Sequence, residues 1–135
     1  MIPIKQKQKA ELFQALHLSK NLFILPNAWN GGSAKVFSNQ DFPAIGTTSA
    51  GMAYAMGQPD GESIHFSDLL HLTKEIVSRV SIPVSVDIER GYADTVEGVI
   101  KNVRSVIEAG AVGINIEDGY TSPSAHLEDL SLQLE

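Results

Sequence analysis

The sequence predicts an α/β fold in which parallel strands alternate with helices, and it favours the first four strand–helix units of a (β/α)8 TIM barrel. Three observations support this: short apolar runs alternate with helical patterns, polar residues directly follow each predicted strand, and no Gly-x-Gly-x-x-Gly turn is present. A small doubly wound sheet is the alternative architecture. A full barrel needs about 250 residues, and this chain has 135. We therefore expect one domain, residues 1–135, that forms the N-terminal half of an incomplete barrel.

The helices are predicted from apolar residues that recur with the helical period. The clearest helix has an apolar stripe from Val96 to Ile107, with Asp94 as its N-cap, Glu97 as the capping-box partner and Gly110 as its stop. The other predicted helices cover residues 7–18, residues 31–37 (opened by Gly-Gly-Ser), residues 67–80 and residues 127–135.

Four short apolar runs are predicted to be the strands, at residues 22–25, 43–46, 82–87 and 111–117. The first is continuously apolar and ends at Pro26-Asn27, which is typical of a strand buried on both faces. The third has its proline, Pro83, near its entry, where a missing N–H interrupts the ladder least.

The composition excludes several classes of function. Hydrophobic residues make up 43% of the chain, charged residues 19%, and the formal net charge is −6, as in an ordinary globular protein. The basic residues are scattered, so we expect no nucleic-acid partner. No run is long and apolar enough to span a membrane, and the first residues lack the apolar core of a secretory signal. The absence of cysteine excludes thiolate metal sites and cysteine nucleophiles. We expect a cytoplasmic enzyme with no membrane partner.

Carboxylates follow the third and fourth predicted strands. Asp87 and Glu89 are two residues apart in an extended segment, so they point the same way, and Glu117 ends the neighbouring strand. Three oxygen ligands without cysteine or paired histidine suit a hard cation such as Mg²⁺ or Mn²⁺. Each acid alone is as readily a helix cap or a solvated loop residue, and Asp60 before Gly61 is as readily a turn former. Their coincidence on adjacent strands favours a metal site.

Further candidates follow the other strands. The run Thr47-Thr48-Ser49-Ala50-Gly51 presents hydroxyl and N–H groups that suit carboxylate or phosphate oxygens, although a tight strand-to-helix turn explains these small residues almost as well. Trp29 and Tyr92 follow the first and third strands, where they either line a pocket or pack as ordinary aromatics. Of the four histidines, His126 alone lies near the predicted site. For this histidine, a non-catalytic role is favoured over catalysis.

Four motifs, in order, resemble the isocitrate lyase/phosphoenolpyruvate mutase superfamily and together span nearly the whole chain. They are residues 25–34 (LPNAWNGGSA), 47–51 (TTSAG) with 57–60 (GQPD), 86–92 (VDIERGY) and 113–118 (GINIED). The resemblance implies a TIM-barrel enzyme, dependent on Mg²⁺ or Mn²⁺, that acts on a small 2-oxo acid or phosphoenolpyruvate-like substrate through a metal-stabilised enolate. Its reaction would be of the C–C lyase or phosphonomutase type.

The resemblance also implies roles for individual residues. Asp87 is the principal metal-site acid, and Glu89, Glu117 and Asp60 hold the ion directly or through water. Thr48, Ser49 and Ala50 form the loop that binds the carboxylate and enolate oxygens of a small carboxylate or phosphonate substrate, with Trp29 and Tyr92 beside it. The candidate catalytic residues are Asp60, Thr48, Ser49 and His126. The family is commonly tetrameric, so a homo-oligomer is expected.

The chain departs from the family pattern in three places. The loop at residues 119–126 (GYTSPSAH) is neither the Lys-Lys/Arg-Cys-Gly-His segment of the lyases nor the Lys-Thr-Asn-Ser type of the mutases, which argues against cysteine-dependent cleavage of isocitrate or methylisocitrate. Glu89 stands where many members have Asp, and Asn30 stands where close relatives often have Asp. Two alternatives remain open: a truncated, non-catalytic half barrel, and a different metal-dependent, aldolase-like barrel enzyme.

Overall fold

The computed structural model describes residues 4–119, 127 and 129–133, and in them strands and helices alternate along the chain. In chain order the elements are α1 (Ile4–Leu18), β1 (Asn27–Ala28), α2 (Gly31–Ser38), β2 (Ile45–Thr47), α3 (Ser49–Ala55), α4 (Phe66–Arg79), β3 (Val84–Asp87), α5 (Val96–Glu108), β4 (Gly113–Asn115) and α6 (Leu130–Gln133). None of the described helices is long and apolar enough to cross a membrane.

The four strands form one parallel sheet in the order β1-β2-β3-β4. In register, Asn27 lies opposite Gly46, Ile45 opposite Val84, and Ser85 opposite Gly113. A doubly wound sheet reverses its strand order at a switch point, whereas here the spatial order follows the chain. The α/β prediction is confirmed, and the doubly wound alternative is excluded for the described sheet.

The first predicted strand, residues 22–25, is wrong. Leu22 is fully exposed and Ile24 is 69% exposed, so this run is not buried on both faces. Pairing begins only at Asn27, because β2 offers β1 partners only at Gly46 and Thr47, and Pro26 has no N–H to extend the ladder. The other three strands are shorter than predicted, and β2 runs one residue past its predicted end.

The N-terminus of α2 is fixed by its own side chains. Asn30 accepts a hydrogen bond from the Ser33 N–H at 2.8 Å, and Ser33 Oγ accepts one from the Asn30 N–H at 3.1 Å. This reciprocal capping box satisfies N–H groups that have no partner inside the helix. The prediction that Gly31-Gly32-Ser33 opens a helix is confirmed.

The start of α5 corrects a predicted cap. Thr95, not Asp94, is the N-cap, and its Oγ1 accepts a hydrogen bond from the Gly98 N–H at 3.1 Å. Both residue types cap well, and the apolar stripe does not distinguish two adjacent candidates. The predicted stop is confirmed, because Gly110 follows the helix with a left-handed φ of 101°, a conformation that favours glycine.

The core lies between the sheet and the helices that cover it. Its fully buried apolar side chains include Ile45, Val84 and Val86 of the sheet, and Leu69, Ile76 and Val106 of α4 and α5. Residues of β3 are buried on both faces of the sheet, which matches the continuous apolar run from which this strand was predicted.

Helix α1 lies at the amino end of the strands. Gln6 Nε2 donates to the carbonyl oxygens of Ile107 and Ala111 at 2.7 and 2.9 Å, and Lys9 Nζ donates to the Val80 carbonyl at 3.2 Å. These carbonyls belong to the segments that lead from α5 into β4 and from α4 into β3. The opposite, carboxyl end of the sheet is therefore the end available for a functional site, as in TIM barrels.

Candidate active site

The polar residues predicted from the sequence gather at the carboxyl end of the sheet. Thr48 and Ser49 follow β2, Glu89 follows β3 and Glu117 follows β4, while Asp87 is the last residue of β3. Parallel strands in consecutive order bring these positions side by side. The predicted polar residues therefore lie at adjacent strand ends, and their role as a functional site stays a prediction.

Asp87 is held by Thr47 of β2 and by Ser49, the first residue of α3. The Ser49 N–H and the Ser49 Oγ–H both donate to Asp87 Oδ2, at 3.0 and 2.7 Å. The Asp87 N–H donates to Thr47 Oγ1 at 2.9 Å. Thr47 and Ser49 are both buried, so these bonds form away from bulk water, where charge-assisted bonds are strong. The carboxylate of Asp87 therefore has a defined orientation at the first turn of α3.

The other oxygen of Asp87 is less engaged. Asp87 Oδ1 accepts one long hydrogen bond, 3.2 Å, from the Glu89 N–H. A carboxylate oxygen has two lone pairs, so Oδ1 retains capacity for another donor or for a cation.

Glu117 lies beside this carboxylate in a strongly acidic environment. Its N–H donates to the Glu89 carbonyl oxygen at 2.7 Å, which fixes the backbone after β4 to that after β3. Loss of hydration raises the pKa of the Glu117 carboxyl above its ordinary value, and the negative charges of Asp87 and Asp60, then of Asp118 and Glu62, raise it further. The acids at this edge therefore repel one another, a condition that a bound cation relieves.

Glu89 uses both of its carboxylate oxygens in hydrogen bonds to Glu62 and Tyr92. Glu89 is 4% exposed, its Oε2 accepts from the Glu62 N–H at 2.6 Å, and its Oε1 accepts from the Tyr92 hydroxyl at 3.0 Å. Burial raises the pKa of the Glu89 carboxyl, the two hydrogen bonds lower it, and the charges of Asp60 and Glu62 add to the rise. Burial and the charge of Glu89 likewise raise the pKa of the Tyr92 hydroxyl.

Glu62 is a residue that the sequence analysis missed. Its Oε1 accepts from the Tyr92 N–H at 2.7 Å, so Glu62, Glu89 and Tyr92 form a closed ring of three hydrogen bonds, named here the loop clasp. All three have left-handed backbones, with φ of 53°, 48° and 56°, a conformation that costs roughly 1–2 kcal/mol for such residues. Neither periodicity nor a strand end identifies Glu62, although its place two residues after Asp60 in the GQPD segment is a weak signal.

Thr48 and Ser49 already use part of their hydrogen-bonding capacity inside the protein. Thr48 is the N-cap of α3 and accepts from the Gly51 N–H at 3.1 Å, while its own N–H donates to the Ala28 carbonyl at 3.0 Å. Its hydroxyl proton is still available to a substrate oxygen. Ser49, in contrast, gives both of its donors to Asp87. Ala50 follows them as the second residue of α3. The explanation of this small-residue run as a strand-to-helix turn is confirmed, and the binding of substrate oxygens stays a prediction.

The remaining predicted residues lie around the same edge. Trp29 is 40% exposed, and a Cβ at Gly51 would lie 3.1 Å from its Cβ, so the indole begins beside α3. Tyr92 packs against Phe66 with ring centroids 5.7 Å apart. Asp60 is exposed, and its Oδ1 accepts from the Gly61 N–H at 3.0 Å, as in a turn former. His126 lies outside the described residues.

The carboxylates that the structure describes at this edge offer oxygen donors for a metal ion. Among residues 4–119, 127 and 129–133, no three His, Asp or Glu side chains are grouped so that they hold one ion directly. Mg²⁺ commonly keeps several waters and binds through one or two carboxylates plus a substrate. Asp87, with free capacity on Oδ1, and Glu117, crowded by like charges, fit that mode of binding.

The chain matches the phosphoenolpyruvate phosphomutase family over residues 13–135. It is 39% identical over 106 residues to an uncharacterized protein of Mycobacterium tuberculosis, a match that covers 78% of this chain and 40% of that protein. It is 29% identical over 101 residues to 2,3-dimethylmalate lyase of Eubacterium barkeri, covering 74% of this chain and 35% of that enzyme.

A solved structure from Burkholderia cenocepacia, provisionally described as a phosphonomutase, superposes with a TM-score of 0.88 at 31% identity, covering 94% of this chain and 50% of that one. This likeness confirms that the four strand–helix units are those of a TIM barrel. The chain spans half or less of the length of the proteins that it matches.

Proposed function

The chain belongs to the phosphoenolpyruvate phosphomutase family, and from that premise we propose that it forms part of a Mg²⁺- or Mn²⁺-dependent enzyme acting on a small 2-oxo acid or phosphoenolpyruvate-like substrate. The reaction class is C–C lyase or phosphonomutase, both of which pass through an enolate. One observation supports the proposal most: the carboxylate of Asp87 is fixed by Ser49 at the carboxyl end of the sheet, beside the electrostatically crowded Glu117.

The proposed ligands follow from that geometry. Asp87 Oδ1 and the carboxylate of Glu117 would hold the ion, with Asp60 acting through water, whereas both carboxylate oxygens of Glu89 accept hydrogen bonds from Glu62 and Tyr92. A divalent cation there would supply positive charge to substrate oxygens on which negative charge develops. The Asp87 carboxylate needs little reorganisation on binding, because the two donors of Ser49 and the Glu89 N–H set its orientation before any ligand arrives.

The substrate would lie between the acids and the start of α3. The Thr48 hydroxyl would donate its proton to a carboxylate or enolate oxygen, and the backbone of Ala50 would line the same turn. Ser49 would act on the substrate only indirectly, because both of its donors orient Asp87. Trp29 would shield one side of the site from water, since its indole begins beside α3 and remains partly exposed.

Metal binding is the first test. Calorimetric titration of the intact protein with Mg²⁺ or Mn²⁺ should show binding that is lost in Asp87→Ala. The matched control is Glu108→Ala, which removes an exposed acid from the last turn of α5 at the opposite end of the sheet and should leave the affinity unchanged. Equal affinity in Asp87→Ala and in the wild type would refute the site.

The chemical class is tested by an enolate mimic and then by turnover. Oxalate should raise the melting temperature when Mg²⁺ is present and not when it is chelated, because only the folded, loaded site binds it. A screen of 2-oxo acids, phosphonopyruvate and substituted malates on the full-length protein, scored for pyruvate release, should then find the substrate. If oxalate has no effect even with metal, the 2-oxo-acid assignment fails while the metal site stands.

A further inference from the structure

We propose that Glu89 is a positioning residue that joins the loop after β2 to the loop after β3, and that its carboxylate is not a direct ligand of the ion. The observation is the loop clasp: Glu62 N–H to Glu89 Oε2, Tyr92 hydroxyl to Glu89 Oε1, and Tyr92 N–H to Glu62 Oε1. The inference about the ion rests on the proposed metal-dependent function, whereas the inference about the loops stands on these contacts alone.

The length of the Glu89 side chain is what lets it reach Glu62. The acceptor that meets the Glu62 N–H is 2.6 Å away, and an aspartate at the same position would end one C–C bond, about 1.5 Å, sooner. The family that the sequence resembles often has Asp there. The additional methylene of Glu89 therefore lets its carboxylate reach the neighbouring loop, a contact that an aspartate would not make.

The backbones of the loop clasp point to the same conclusion. Glu62, Glu89 and Tyr92 all have φ between 48° and 56°, and strained residues of this kind persist only where the surrounding structure holds them. Each of the three contributes to the ring of hydrogen bonds, so the ring compensates for the strain at every member. A hydrogen bond to a buried carboxylate is strong enough for this purpose.

The backbone and the side chain of Glu89 have different partners. Its N–H donates to Asp87 Oδ1, and its carbonyl accepts from the Glu117 N–H. The carboxylate lies in the loop clasp, 4% exposed. Both oxygens of that carboxylate already accept hydrogen bonds within the loop clasp, and among the described residues no three such side chains are grouped to hold one ion directly.

The segment that Glu89 holds is the one that carries Asp60. Asp60 lies two residues before Glu62, and its Oδ1 accepts from the Gly61 N–H between them, so the contact at Glu62 holds the turn that carries Asp60. By fixing the Glu62 backbone, Glu89 sets the position of Asp60 relative to Asp87 and Glu117. Glu89 would thus affect metal affinity through the loop and not through a bond to the ion.

Hydrogen–deuterium exchange tests the loop contact in the metal-free protein. Exchange of the Glu62 amide should accelerate about tenfold or more in Glu89→Asp, which is too short to accept from it. Glu89→Gln keeps an acceptor oxygen at full length and should retain the protection. The control Glu97→Asp makes the same change at an exposed position in the first turn of α5 and should exchange like the wild type. Unchanged Glu62 protection in Glu89→Asp would overturn the proposal.

Mn²⁺ titration tests whether Glu89 acts through Asp60. Glu89→Asp should weaken Mn²⁺ binding about tenfold in the wild-type background and not in the Asp60→Asn background, because the acid that Glu89 is proposed to position is then absent. Glu89→Gln should remain within about tenfold of wild type. Two results would overturn the indirect role. One is that Glu89→Gln loses Mn²⁺ binding as completely as Asp87→Ala does. The other is that Glu89→Asp weakens Mn²⁺ binding equally in both backgrounds. If the wild type binds no Mn²⁺, the proposed function fails, and the exchange experiment still decides the loop contact.

Discussion

Replacing Ser49 by alanine removes one hydrogen bond from the contact that orients Asp87. The Ser49 Oγ–H donates to Asp87 Oδ2 at 2.7 Å, and Ser49 is 6% exposed, so water does not easily replace the hydroxyl. A hydrogen bond to a charged group contributes about 1.5–3 kcal/mol. Because the Ser49 N–H still donates to the same oxygen, we expect the lower part of this range. Ser49→Ala should reduce the free energy of unfolding by about 1.5–2 kcal/mol.

The measurement is urea-induced unfolding near neutral pH with a chelator present, so that metal binding does not contribute to stability. Ser78→Ala is the matched control. Ser78 Oγ donates at 2.8 Å to the neutral Glu75 carbonyl within α4, and Ser78 is exposed, so its loss should change the free energy of unfolding by less than about 0.5 kcal/mol. If the two variants are equally stable, the Asp87–Ser49 hydrogen bond does not have the strength assigned to it.

Three further predictions concern helix capping, glycine geometry and pH. Thr95→Ala should destabilise the protein by about 1 kcal/mol, since it removes the cap of α5. Asp94→Ala should be nearly neutral in the same urea assay. A larger loss of stability in Asp94→Ala than in Thr95→Ala would instead identify Asp94 as the cap. Gly57→Ala should lower the free energy of unfolding by about 1 kcal/mol, because the added Cβ meets no atom and only the left-handed φ is unfavourable. Gly91→Ala should lower it by about 1–3 kcal/mol more, because its Cβ would also lie 2.8 Å from a methyl of Val99. Because the pKa of Glu117 is raised, the folded protein keeps the proton of Glu117 to a higher pH than the unfolded chain does. The contribution of Glu117 to stability is therefore complete below the unfolded pKa of 4.5 and is lost as the pH rises through the folded pKa. In urea unfolding at several pH values, the free energy of unfolding of the metal-free protein should therefore fall as the pH rises through this range. It should fall less steeply in Glu117→Gln, and an equal dependence on pH in the two proteins would contradict this.

Elements with a strong periodic signal were predictable from the sequence, and short ones were less so. The apolar stripe of α5 and its glycine stop at Gly110 determine the helix, because burial of one face and a left-handed C-terminal residue leave few alternatives. The run at residues 22–25 has an equally clear apolar pattern and is not a strand, because a strand also needs a partner. Its neighbour β2 pairs with β1 only from Asn27 onward, and no property of the run itself reveals this.

The same distinction applies to the candidate site. The position of Asp87 was predictable, because consecutive parallel strands must bring their carboxyl ends together. The orientation of Glu89 was not, because two-residue spacing predicts a common face only while the chain stays extended. The backbone of Glu89 is left-handed, with φ of 48°, so the alternation ends at Asp87 and the Glu89 side chain turns toward Glu62. A long-range partner such as Glu62, 27 residues away, becomes visible only in the folded structure.

The contacts of Asp87 and the electrostatics of Glu117 together predict that metal binding, folding and proton release are linked. Asp87 is already oriented by bonds from two neighbouring segments, so an ion would meet one acid in place and would gain affinity from that preorganisation. The pKa of Glu117 is raised by loss of hydration first and by its negative neighbours in addition, and a cation beside it would lower that pKa and expel the proton. Binding at mildly acidic pH should therefore release protons in proportion to the fraction of Glu117 that is protonated beforehand. Calorimetry in buffers of different ionisation enthalpy measures that release directly, and a release that persists unchanged in Glu117→Gln would assign the raised pKa to another acid of the cluster.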